Sequence, residues 1–66
     1  MDRIEVYVQM GMAAELATSF SIWGDAEKSV CQQIADLMKL EVRAMRAQKC
    51  LGVFYPQHLQ NAERKP

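Results

Sequence analysis

The sequence predicts a small α+β protein that is mostly helical, and three observations lead to this prediction. Residues 3–10 alternate between apolar and polar side chains, residues 12–23 and 25–49 carry apolar side chains at helical spacing, and 66 residues are enough for one domain at most. The predicted order is an N-terminal strand, a short helix, a long helix and a possible short C-terminal strand. The domain is expected to cover residues 1–56, with a polar tail at 57–66.

The first predicted element is a strand from Arg3 to Met10. Its alternation places one set of side chains toward the core (Ile4, Val6, Val8, Met10) and another toward solvent (Arg3, Glu5, Tyr7, Gln9). Gly11 is expected to end it. Because a lone strand cannot satisfy its own backbone N–H and C=O groups, it should pair either with a second strand of this chain or with a second copy.

Two helices are predicted after Gly11. The first runs from Met12 to Trp23, with Gly24 just past its end and Asp25 as the N-cap of the second. The second helix runs from Asp25 to Lys49 and carries a broad apolar stripe (Val30, Ile34, Leu37, Met38, Val42, Met45). Its apolar arc exceeds the ~100° that a surface helix needs, so part of it is predicted to contact a partner.

The C-terminal part of the predicted domain is short and apolar. Leu51 to Tyr55 reads LGVFY and is closed by Pro56, so it is predicted either to pair with the first strand or to act as a hydrophobic anchor. The tail ends in Glu-Arg-Lys-Pro and is polar throughout.

Composition and charge indicate which kind of protein to expect. Hydrophobic residues make up 50% of the chain and the formal net charge is zero, although residues 1–42 carry −4 and residues 43–66 carry +4. No apolar run approaches the ~18 residues of a membrane span, and no secretion signal is recognisable at the start. We therefore expect a soluble, cytoplasmic protein. A chain this small buries only about 60% of its unfolded surface, so self-association, most simply as a dimer, is also expected.

The cysteines support a reducing compartment. Within one continuous helix, Cys31 and Cys50 would lie roughly 28 Å apart, well beyond the ~7 Å limit for a disulfide. Cys31 is predicted to be a small core residue. Two thiols and the single His58 do not make a zinc site, and no catalytic, cofactor-binding or metal-ligating residue is predicted. We accordingly expect a protein that is not an enzyme and has no cofactor.

Several side chains are candidates for contact with a partner. Glu41 falls inside the apolar arc of the long helix, where it either pairs with a base at the edge of the packing or acts as a buried charge that sets specificity. Lys39, Arg43 and Arg46 form a basic stripe, which is either a solvated face or a set of phosphate contacts. Tyr7 and Trp23 are interface candidates because their residue types are enriched at binding hot spots, the alternative being ordinary core packing. The full candidate set is Tyr7, Trp23, Leu40, Glu41, Arg43, Arg46, Phe54 and Tyr55.

The order of strand, short helix, glycine-containing turn and long helix resembles the ribbon-helix-helix family of dimeric DNA-binding regulators and antitoxins. The resemblance covers Arg3 to about Lys49 and implies a two-chain ribbon with Arg3, Glu5, Tyr7 and Gln9 facing the major groove. It implies DNA binding as one function. We prefer a function other than DNA binding, because Glu5 would face the phosphates of DNA and the N-terminal part of the chain is acidic. We expect a small interaction module that binds and modulates or inhibits a larger protein, as adaptors and phage-encoded inhibitors of host proteins do.

Overall fold

A computed structural model of the chain describes residues 2–57, which form four strands and one helix. The elements are β1 (Ile4–Met10), β2 (Ala13–Phe20), α1 (Asp25–Met38), β3 (Val42–Arg46) and β4 (Lys49–Phe54). The strands form one antiparallel sheet in the order β2-β1-β3-β4. The prediction of a mostly helical protein is wrong, since the structure is 46% strand and 27% helix.

The predicted N-terminal strand is present as β1, at the centre of the sheet. Ile4, Val6 and Val8 are buried, as the alternation predicted. β1 pairs with β2 on one side and with β3 on the other, so both of its edges are satisfied within the chain. The C-terminal apolar run pairs with β3 as part of β4 and not with β1.

The predicted helix from Met12 to Trp23 is wrong, because Ala13–Phe20 forms strand β2. Gly11 has a φ of +66°, and the two residues Gly11 and Met12 connect β1 directly to β2. A glycine at the first position of a two-residue connection suits the tight turns that match the twist of a hairpin. Pairing with the free edge of β1 stabilises Ala13–Phe20 as a strand, although its Ala, Glu and Leu residues favour a helix locally.

The predicted helix from Asp25 to Lys49 is also wrong, because α1 stops at Met38. Lys39 adopts the left-handed conformation (φ 59°, ψ 39°), and the N–H of Leu40 reaches back to the carbonyl oxygen of Ala35 over 3.3 Å. This is the six-to-one bond of a Schellman motif, whose following apolar residue, here Leu40, packs against the core. At the other end the N-cap is Gly24 rather than Asp25, with no side-chain capping bond.

The helix covers one face of the sheet and creates a small core. Seven buried apolar residues form it: Ile4, Val6, Val8, Cys31, Ala35, Val42 and Ala44. α1 packs chiefly over β3 and β4, and residues 13–17 of β2 are exposed. Trp23 and Phe54 meet edge to face at the margin of the core, with ring centroids 6.2 Å apart. Cys31 is thus a core residue, as predicted.

Residues 58–66, including His58, lie outside the described part of the chain, so only Gln57 of the predicted tail is described. Within residues 2–57, no helix has the length and apolar character needed to cross a membrane.

Candidate interaction surface

The face of the sheet opposite α1 has no element packed on it among the described residues, and we call it the open face. Strand register assigns its members, because residues paired across neighbouring strands share a face. β1 contributes Glu5, Tyr7 and Gln9, and their partners come from β2 (Ala14, Leu16, Ser19) and β3 (Arg43, Met45). β4 adds Cys50 and Val53 at its far side. Leu16 is 57% exposed and Val53 37%, so apolar area is open to solvent here.

Two polar pairs hold side chains in place on the open face. The Tyr7 hydroxyl donates to Glu5 Oε1 over 2.9 Å, and Arg43 donates to Glu41 Oε2 over 2.8 Å. The hydrogen bond to the Glu5 carboxylate, followed by burial and the charge of Glu5, raises the pKa of Tyr7 above 10.0. Tyr7 is therefore a neutral, oriented hydrogen-bond donor at physiological pH.

A shallow cleft of about 210 Å³ lies in the middle of the open face. Its walls are Tyr7, Gln9, Ala14, Glu41, Arg43 and Met45. Sites for drug-sized ligands usually have volumes of roughly 300–1,000 Å³, so this cleft is of the size that accepts one side chain. The Arg43–Glu41 ion pair at the wall is half-exposed, with side-chain exposures of 50% and 27%.

The structure brings together three of the eight predicted contact residues, namely Tyr7, Glu41 and Arg43. Tyr7 projects from the face of β1 that the alternation left free of the core. The placement predicted for Glu41 is wrong, because it lies in the connection before β3 rather than in the apolar arc of a helix. Its backbone oxygen accepts the N–H of Gln9 over 2.9 Å and its carboxylate pairs with Arg43.

The other predicted contact residues lie away from the cleft. Trp23, Leu40 and Phe54 are partly buried against the core on the helix side. Arg46 is exposed at the end of β3, opposite Ile4. The predicted basic stripe does not exist, because its residues lie on a helix cap and on β3 instead of on one helix face: Lys39, Arg43 and Arg46.

Tyr55 belongs to a segment that is fastened to α1. Its carbonyl oxygen accepts a hydrogen bond from Gln32 Nε2 over 2.8 Å, and Gln32 also donates to Asp36 Oδ1 over 3.0 Å. The same Asp36 oxygen accepts the N–H of Gln57 over 2.8 Å, and the intervening Pro56 is fully buried. This segment closes the core where β4 ends, and Tyr55 is 37% exposed beside it.

The arrangement does not support the two-chain ribbon implied by the resemblance to ribbon-helix-helix proteins. A ribbon needs a free edge on β1, and both edges of β1 are occupied within this chain. The open face also pairs its bases with acids or hydroxyls, as in Arg43 with Glu41 and Arg3 with Ser19. Such a face lacks the excess positive charge that drives binding to phosphates.

Sequence reasoning missed Leu16, Met45 and Val53 as members of the surface. Leu16 and Met45 were assigned to helices, where their apolar character indicated burial. One signal for Leu16 was available: Gly11, as the first residue of a two-residue gap after an alternating run, is typical of a hairpin, and a hairpin would have placed Leu16 beside Tyr7.

Among residues 2–57, no group of histidine, cysteine or acidic side chains is arranged to hold a metal ion. No protein-family model matches the sequence, and neither a curated protein nor a solved structure matches it significantly.

Proposed function

We propose that the protein is a small, non-enzymatic interaction module that binds a larger protein partner through its open face and modulates or inhibits that partner. The observation that carries this proposal is the combination of exposed apolar side chains with a side-chain-sized cleft on one face of a rigid sheet. Leu16 and Val53 are exposed, Met45 is half-buried, and Tyr7 lies between them.

The composition of the open face favours a protein as the occupant. Protein interfaces combine an apolar centre with a few oriented polar groups and are enriched in Tyr, Met and Arg. Tyr7, Met45 and Arg43 supply these three residue types around one cleft. A bound partner would also shield the Arg43–Glu41 pair from water. Because electrostatic interactions are stronger away from water, the site would favour a partner that offers this pair a matching polar group.

The size of the cleft suggests how the partner is recognised. A pocket of about 210 Å³ fits one apolar or aromatic anchor residue, and such an anchor commonly carries much of the binding energy of an interface. Gln9, whose side-chain nitrogen donates to the carbonyl oxygen of Gly11 over 3.0 Å, forms part of the wall. The partner is thus expected to insert one side chain between Tyr7 and Arg43.

The setting in this proposal is the cytoplasm. Cys31 and Cys50 are both free thiols, which fits a reducing compartment. The two cysteines do not lie on one helix as predicted, since α1 ends between them.

The proposal is tested by capture from source cells with two matched variants of the tagged protein. Tyr7→Ser combined with Arg43→Glu removes the aromatic wall of the pocket and replaces its positive charge with a negative one. The control, Leu37→Ser, removes an apolar side chain that is 83% exposed on the helix side. We expect the wild-type chain and the control to retain one protein in stoichiometric amount and the open-face variant to lose at least nine-tenths of it.

Equal capture by all three chains would contradict this use of the open face, provided that circular dichroism shows the variants folded. Tight binding to duplex DNA, with an affinity that falls steeply as salt rises, would instead establish the nucleic-acid function.

A further inference from the structure

Strand β2 forms an edge of the sheet that neither a proline nor a lysine protects, and its one irregularity is a β-bulge at Ala17. It is eight residues long, its residues 13–17 are exposed, and Glu15 is its single charged residue. Natural edge strands are commonly shortened, capped by proline or covered with lysine to prevent pairing with another chain. The opposite edge strand, β4, is shorter, begins with Lys49 and is followed by the buried Pro56.

The direction of the free backbone groups on β2 follows from the sheet. Gln9 donates its N–H to Glu41, so the odd-numbered residues of β1 point their backbone groups toward β3 and the even-numbered ones toward β2. Ala13 and Glu15, which face Met10 and Val8, therefore point toward β1. Their neighbour Ala14 points its N–H and C=O away from the sheet.

A β-bulge makes this pattern symmetric about the middle of the strand. Between Val6 and Tyr7 the register shifts, so that Thr18 faces Val6, Leu16 faces Tyr7 and Ala17 is the extra residue. After the bulge, Thr18 and Phe20 point their backbone groups inward and Ser19 points outward. Before it, Ala13 and Glu15 point inward and Ala14 points outward. The pattern of residues 18–20 thus mirrors that of residues 13–15.

The side chains follow the same symmetry. Ala14 and Ser19 lie on the open face, opposite Gln9 and Glu5, whereas Glu15 and Thr18 lie on the helix face, opposite the buried Val8 and Val6. Side chains that oppose each other across an antiparallel pair must share a face. Without the bulge, no antiparallel self-pairing could place residues 14 and 19 opposite each other on one face.

From this symmetry we infer that β2 pairs antiparallel with β2 of a second copy, joining two sheets into one of eight strands. In the register centred between Leu16 and Ala17, Ala14 opposes Ser19 of the second copy. Glu15 then opposes Thr18, whose hydroxyl donates to the carboxylate, and Ala13 opposes Phe20. A register centred on Glu15 would place two carboxylates directly opposite each other, which is unfavourable.

This inference goes beyond the proposed function, because the dimer pairs backbone groups at the edge of the sheet, whereas the cleft is lined by side chains on its open face; Ala14 belongs to both. A junction of two strands buries less than the roughly 1,600 Å² of a standard interface, so we expect a dissociation constant in the micromolar range, on the order of 10 µM. The second copy is the favoured occupant because the free edge is complementary to itself in both backbone direction and side-chain face.

The register is tested with purified full-length chain carrying Ala14→Cys and Ser19→Cys in a Cys50→Ser background. Opposed residues that exchange hydrogen bonds have Cα atoms ~5.5 Å apart, which suits a disulfide. Within one strand the two positions are roughly 16 Å apart and cannot be bridged. Oxidised glutathione should therefore give a covalent dimer, whereas the matched control with Ala14→Cys and Thr18→Cys should give little.

The association itself is tested by sedimentation velocity on the wild-type chain from about 1 µM to about 1 mM. We expect the mass to double across this range. Ala14→Pro removes one outward N–H without removing a bond to β1, and Ala17→Lys places like charges next to the symmetry axis. Each should weaken dimerisation at least tenfold, whereas Val53→Pro, at an outward position of β4, should not.

A wild-type chain that stays monomeric throughout would overturn the inference. So would a dimer that survives both β2 variants or that Val53→Pro abolishes, or covalent dimers that form equally well in the control pair. Since these measurements need no other protein, their failure is distinguishable from failure of the open-face proposal. Tyr7→Ser with Arg43→Glu should leave the dimer intact.

Discussion

At the scale of single residues, the two cysteines are chemically identical but differ in their burial. Cys31 is fully buried on the side of α1 that faces the sheet, and loss of hydration raises the pKa of its thiol above the ordinary value of 9.0. Cys50 is exposed on β4, where its sulfur lies 3.7 Å from the carbonyl oxygen of Gly52. The folded state therefore keeps Cys31 protonated at pH values where the unfolded chain loses that proton.

This difference makes stability depend on pH. Because the folded pKa is raised, the contribution of Cys31 is fully present below the unfolded pKa and is lost as pH rises through the folded pKa. We expect the free energy of unfolding to fall as pH rises above about 9, where the thiol of the unfolded chain loses its proton and the buried thiol keeps it. Urea unfolding should show a shallower fall for Cys31→Ala and the wild-type slope for Cys50→Ala. Identical slopes in all three chains would remove Cys31 as the cause.

At the scale of elements, the end of α1 decides the whole second half of the fold. The turn at Lys39 and Leu40 stops the helix and starts β3, although the residues after it would continue an apolar helical stripe. Lys39 occupies the left-handed region, which is costly for a residue with a side chain, by about 1 kcal/mol. Packing of Leu40 against the core offsets this cost.

Replacing Lys39 by glycine should therefore stabilise the protein. Lys39→Gly removes the left-handed penalty, and we expect the free energy of unfolding to rise by about 0.5–1 kcal/mol. The matched control is Lys28→Gly inside α1, which should lower it by about 1 kcal/mol. Chemical denaturation of the two variants checks this, and a loss of stability in Lys39→Gly would contradict the proposed role of the turn.

At the scale of the whole molecule, stability rests on few side chains. The core has a single layer between α1 and the sheet, and Val6 lies at its centre with no exposed surface. A chain of this length is expected to have a total stability of roughly 3–10 kcal/mol. Any cavity in so small a core removes a large share of that total.

Val6→Ala should accordingly cost about 2 kcal/mol. Leu37→Ala removes more apolar volume, but its side chain is 83% exposed, so the change should stay within about 0.5 kcal/mol. Thermal and denaturant unfolding measure both differences. Similar losses for the two variants would mean that Leu37 is covered in solution.

Whether an element could be predicted from the sequence depends on how far apart in the chain its stabilising contacts lie. β1 was predictable because the alternation of Ile4, Val6 and Val8 is a local pattern that burial of one face explains. β2 was not, because its composition favours a helix, and only the edge of β1, reached through Gly11, makes a strand more stable. Tyr7 could be placed on a surface from the alternation of its own strand. Leu16 and Met45 could not, because their faces depend on strands that the sequence pattern assigned to helices.

By itself, the sequence determined β1 at the start of the fold, Cys31 in the core and Tyr7 directed away from that core. The tertiary structure decided that the long apolar stretch after Asp25 divides into α1, β3 and β4, and that Glu41 meets Arg43 rather than the interior of a helix. The physical reason is that helical spacing is a property of neighbouring residues, whereas the pairing of strands depends on backbone groups far apart in the chain. Residues 42–54 form the β3–β4 hairpin rather than a continued helix because β3 satisfies the backbone groups on the second edge of β1.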